Sequence, residues 1–106
     1  MKVTKEKALR SLGITEQMYN ELIDDFIGQF VLDLNDLDVA IEKEDFEHIR
    51  QIGHSIKGSA GNLRLEEIAK AAKEIECSEK NEVLIKEKII VLKKYFEELK
   101  ELFKKE

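Results

Sequence analysis

Proline and tryptophan are absent from this 106-residue chain, glycine occurs only five times and cysteine once. With 42% hydrophobic and 39% charged residues, the balance is typical of solvated helices rather than of strands or disorder. The lone Cys77 excludes an internal disulfide, and no stretch approaches the roughly 18 apolar residues of a membrane span. Lys and Arg number 18 against 23 Asp and Glu, and a net charge of -5 argues against nucleic-acid binding, which needs a clustered basic face. The opening Met1-Lys2-Val3-Thr4-Lys5-Glu6 lacks the apolar core of a signal peptide. These absences predict a cytoplasmic protein, made of one domain over residues 1–106, which is enough chain to enclose a core without disulfides or metal.

What is present is helical periodicity. Thr4 to Leu12 reads as a short entry helix with Ala8, Leu9 and Leu12 on one side and Gly13 closing it. Thr15 is suited to cap a long helix whose core stripe is Tyr19, Ile23, Phe26, Phe30, Leu34, Leu37 and Ile41. Asp45 can cap a third helix carrying Phe46, Ile49, Ile52, Ile56, Ala60 and Leu63. After a turn at Asn62 to Arg64, Leu65, Ile68, Ala69, Ala72 and Ile75 mark a fourth. Asn81 can cap the last, with Ile85, Ile89, Leu92, Phe96, Leu99 and Phe103 in register. The expected fold is all-α, an antiparallel four-helix bundle with an additional short N-terminal helix.

The third helix carries the chemistry. On a wheel of about 100° per residue, Ile49, Ile56, Ala60 and Leu63 point nearly opposite to His54. The histidine therefore faces outward among Glu47, Arg50, Gln51, Lys57, Gly58 and Gly61. A glycine inside a helix costs roughly 1 kcal/mol relative to alanine, so Gly58 and Gly61 call for an offsetting gain. Gly58, one turn after His54, leaves the ring open to a second protein, and the ammonium of Lys57 can neutralise charge on a phosphoryl group in transfer. His48 lies about 120° around the helix, so the two histidines make no metal pair. Ser59 is expected nearer the core side.

The run His54-Ser55-Ile56-Lys57-Gly58-Ser59-Ala60-Gly61 resembles the H-x-[LI]-K-G-[SAG]-[SA] signature of histidine-containing phosphotransfer (HPt) domains. His-x-x-Lys-Gly alone arises by chance in roughly one chain in a hundred of this length, and its place on an outward helix face narrows the odds further. Helix order, Asp45 opening the motif helix and Ile75-Glu76 ending the next are also similar to the family. One departure is Arg64, where many members have glycine ten residues after the histidine. Asn62, which tolerates a left-handed backbone, is the candidate to close the helix instead, leaving Arg64 as a positive charge near the partner face.

The resemblance implies a phosphorelay protein of two-component signal transduction, a phosphoprotein that carries phosphohistidine. His54 Nε2 would accept a phosphoryl group from a receiver-domain aspartate and pass it to another receiver. Positioning and charge stabilisation are the tasks of such a site. No intrinsic cofactor is implied, because Mg²⁺ comes with the partner receiver. Glu76 stands where the family often has an acid that, in the chemotaxis-kinase branch, orients the histidine through Nδ1; it is otherwise a surface carboxylate. Gln51 either bonds the phosphoryl group or faces solvent. Leu12, Ile14, Met18 and Leu22, with Arg64, are candidates for partner docking. A monomer is expected, with response-regulator receivers and, in one version, a histidine kinase as partners. Two alternatives are the phosphate-accepting domain of a chemotaxis-type kinase and a non-catalytic helical binding module. The chain lacks a nucleotide-binding glycine loop, which favours a phosphocarrier over an autonomous kinase.

Overall fold

The computed structural model describes Met1 and residues 4–104. Lys2 and Val3, part of the N-terminal segment read above for a signal peptide, lie outside the described residues, as do residues 105–106 of the expected domain. Five helices and no strand occur among the described residues: α1 (Lys5–Leu12), α2 (Glu16–Glu42), α3 (Phe46–Asn62), α4 (Glu66–Glu76) and α5 (Glu82–Leu102).

Three predicted caps close their helices. Thr15 Oγ1 accepts from the Met18 N–H at 3.2 Å, Asp45 Oδ1 from the His48 N–H at 3.2 Å and Asn81 Oδ1 from the Leu84 N–H at 3.1 Å. Each satisfies a donor that the helix itself leaves unpaired, a gain of about 1 kcal/mol. Gly13, with φ of 67°, ends α1 by donating its N–H to the Leu9 carbonyl.

The α3–α4 turn differs from expectation. Asn62 is the last residue of α3, and it is Arg64 that adopts the left-handed conformation, with φ of 63°. Its N–H bonds the Gly61 carbonyl and the Leu65 N–H bonds the Ala60 carbonyl, the paired bonds of a Schellman closure. A side chain in this conformation is disfavoured, and Arg64 offsets the strain with its own guanidinium. Nε donates to Ser11 Oγ at 2.9 Å, while Nη1 donates to the carbonyls of Gly61 at 3.1 Å and Asn62 at 3.4 Å. One residue thus ends α3 and fastens the turn to α1. Glu44 makes the same backbone closure after α2, with φ of 54°.

The core follows the predicted stripes, although Leu9, Leu12, Phe46, Ala69, Phe96 and Phe103 are only partly buried against it. In the final turns of α2 the buried residue is Ala40, three after Leu37, and Ile41 is only partly buried against the core. Leu65 is buried as the residue before α4 rather than within it. α2 packs against α3 and α5, α4 packs against the same two, and the α3–α4 contact is the most extensive. Phe30 links α2 to α5, edge-on to Phe96 at 5.6 Å between ring centres. Fully buried Tyr19 donates its hydroxyl to the Leu63 carbonyl at 2.6 Å, joining the start of α2 to the end of α3, and burial raises its phenol pKa. This bond and the Arg64 clamp fix the C-terminal end of the helix that bears the motif.

Candidate functional site

His54 sits in the middle of α3 with 66% of its side chain exposed, on the face away from Ile49, Ile52, Ile56 and Ala60. The neighbouring helix supplies its partner. Glu76, the last residue of α4, places Oε2 2.5 Å from His54 Nδ1 and accepts from Lys57 Nζ at 2.7 Å through Oε1. The carboxylate is the least exposed of the three, at 14%. The Lys57 ammonium, and after it the His54 ring, hold the Glu76 carboxyl below its usual pKa, partial desolvation opposing them.

This geometry has a chemical consequence. An ionised carboxylate only accepts hydrogen bonds, so Nδ1 must be the nitrogen that carries the proton. In the neutral ring the lone pair then resides on Nε2, the nitrogen that Glu76 does not hold, in a side chain that is largely exposed. Glu76 can also stabilise the positive ring that forms when Nε2 acquires a substituent.

The other site candidates divide. A Cβ built on Gly58 or Gly61 meets nothing within 4 Å, so the surface beside His54 is open at both positions. Gln51 donates to Glu47 Oε1 at 3.3 Å, and Glu47 also pairs with Arg50. Met18 and Leu22 are exposed, whereas Leu12 and Ile14 are half-buried against the core. Arg64 is exposed, but its guanidinium is occupied by Ser11 and the end of α3. Ser59, expected toward the core, is exposed. It lines a groove between α2 and α3 together with apolar Leu22, Phe26, Phe30 and Leu63 and acidic Asp25 and Asp33. Burial there raises the Asp33 carboxyl pKa.

The family model for the Hpt domain matches residues 21–102, from the first turns of α2 to the end of α5. The chain belongs to the Hpt domain family. Hpt domains act in phosphotransfer within two-component signalling and interact with receiver domains and kinases. Searches of curated proteins and of solved structures gave no match. The matched span of this Hpt domain contains all three polar groups of the site and Arg64, while α1, with the Ser11 that Arg64 bonds, lies outside it. Among the described residues, no helix is long and apolar enough to cross a membrane.

One residue of the site escapes sequence reasoning. Gly53, directly before His54, is buried where α3 touches α4. The available signal is a third glycine in the motif helix, on the flank between the outward face and the core.

Proposed function

We propose that His54 is the phosphoryl acceptor of a phosphorelay, taking the group from a receiver-domain aspartyl phosphate and delivering it to a second receiver. The single observation that carries this reading is the Glu76 carboxylate on Nδ1, which leaves Nε2 of the exposed ring with the lone pair. In the forward step a bond forms from Nε2 to phosphorus while the acyl oxygen–phosphorus bond breaks. The aspartate leaves as carboxylate with the bonding electrons, and the Nδ1 proton stays on the ring, facing Glu76. The acyl phosphate and the phosphoramidate are both reactive, so the exchange is near balance and runs in either direction. Lys57, one turn from His54 and bonded to the same carboxylate, offsets charge on the phosphoryl oxygens. Mg²⁺ belongs to the receiver, and this chain needs no metal of its own for the step.

Exposed Met18 and Leu22, the latter lining the α2–α3 groove, are the apolar contacts we assign to receiver docking. The short connections between α2, α3, α4 and α5 favour an antiparallel bundle, and residues 1–106 are taken as one cytoplasmic unit that works as a monomer.

A second reading draws on the same carboxylate, because an acid on Nδ1 resembles the chemotaxis-kinase branch, where the donor is ATP on a separate kinase domain. The two readings are separated by the donor. Incubation with a phosphorylated receiver and Mg²⁺ is expected to give acid-labile, base-stable label that His54→Gln abolishes with helicity intact. Label that persists in His54→Gln removes the site assignment. Labelling only from ATP and a kinase domain selects the second reading.

A further inference from the structure

Building on the reading of His54 as acceptor, we propose that Gly53 is a positioning residue. Its missing side chain sets the α3–α4 spacing at which Glu76 reaches both His54 and Lys57.

A Cβ at Gly53 would lie 3.0 Å from the Ala72 carbonyl oxygen, 3.0 Å from the Glu76 nitrogen and 3.2 Å from Ile75 Cγ2. The first two are backbone atoms of α4, so no change of rotamer removes the clash and the helices must separate by a few tenths of an ångström. Gly58 and Gly61 on the same helix face open space, so among the glycines of α3 the close approach is confined to Gly53. A glycine inside a helix weakens it relative to alanine, and at Gly53 packing supplies the compensation.

The contact and the hydrogen bonds share their residues. Gly53 is the chain neighbour of His54, and the backbone nitrogen it touches belongs to Glu76, whose carboxylate holds the ring and Lys57. Any side chain at position 53 therefore moves donor and acceptor apart along the line that joins the two helices. Hydrogen bonds weaken beyond about 3.2 Å, so a methyl group stretches the pair and a branched side chain breaks it. Without Glu76 the ring is free to exchange tautomers, and part of the population then carries its proton on Nε2, where it blocks attack.

The test is a graded series, Gly53→Ala and Gly53→Val, with Glu76→Gln as reference. Imidazole ¹⁵N shifts of His54 give the tautomer, and initial rates of phosphoryl uptake give the function. The Nδ1–H fraction is expected to fall from wild type to Gly53→Ala to Gly53→Val, with valine approaching Glu76→Gln. Loss of the orienting bond should slow uptake about tenfold. Adding Glu76→Gln to Gly53→Val should then cost less than about twofold more, because the two changes act through one interaction. A tautomer unchanged in both Gly53 variants overturns the assignment, as does an undiminished Glu76→Gln effect in the valine background. If valine prevents folding, as circular dichroism would reveal, the alanine variant decides by its tautomer and its own cycle with Glu76→Gln. A wild-type protein that takes no label sinks the acceptor reading instead, while the tautomer series still decides the role of Gly53.

Discussion

Replacing Arg64 by alanine and by glycine separates the two things this residue does. Both variants lose the guanidinium bonds to Ser11 and to the Gly61 and Asn62 carbonyls. These are exposed, and at about 0.5 kcal/mol each their sum is about 1.5 kcal/mol. Alanine keeps the side-chain penalty of the left-handed backbone at φ 63° and should be destabilised by nearly that whole amount. Glycine removes a penalty of about 1–2 kcal/mol but loses about 0.4–1 kcal/mol through greater freedom of the unfolded chain. The glycine variant should therefore be more stable than the alanine variant by about 1 kcal/mol. Urea titration at constant m would place its midpoint about 0.5–1 M higher. An alanine variant equal to or more stable than the glycine variant would refute the reasoning, because it would mean that position 64 carries no backbone strain. Amide hydrogen exchange supplies the second half of the test. α1 should exchange faster in both variants, since both cut its bond to the turn.

Two further outcomes bear on the site. The Cβ of Gly58→Leu meets no atom within 4 Å and the variant should raise stability by about 0.5–1 kcal/mol through helix propensity, while phosphotransfer with a receiver slows at least about tenfold from obstruction; unchanged transfer rates would dispose of the clearance argument. Because the Glu76 carboxyl lies below its ordinary pKa in the folded protein, its contribution is complete above about pH 4.3 and is lost as pH falls through the lower folded value. The midpoint advantage of wild type over Glu76→Gln in urea should thus be present at neutral pH and shrink on acidification below about pH 4, and an advantage independent of pH would contradict the ion-pair account.

The helices were legible because each carries a local signal. The stripes from Tyr19 to Leu37 and from Ile85 to Leu99 are periodic over many turns, and Thr15, Asp45 and Asn81 mark helix starts by side-chain chemistry alone. Local signals weaken at helix ends. Ile41 and Ala40 fit the stripe of α2 almost equally well, and the outcome depends on what the neighbouring helices cover. At the next corner, Asn62 has the better intrinsic tolerance of a left-handed backbone, yet the count of residues needed to reach buried Leu65 puts Arg64 there. The outward direction of His54 follows from helix geometry and is seen in its exposure. The reach of Glu76 does not, since it depends on how closely two helices approach, and that distance is fixed by a buried glycine whose partners are distant in sequence.

Glu76 occupies the final helical position of α4, and helix termini are where secondary structure opens most readily. Beyond it, the Cys77 N–H holds the Lys73 carbonyl, and buried Ser78 returns both its N–H and its hydroxyl to the Ile75 carbonyl. The same turn carries buried Ile75, packs its backbone against Gly53 of α3 and pairs Glu74 with Lys88 of α5 at 2.6 Å, so the carboxylate that meets the histidine ring is held by packing between helices as well as by the hydrogen bonds of its own helix end.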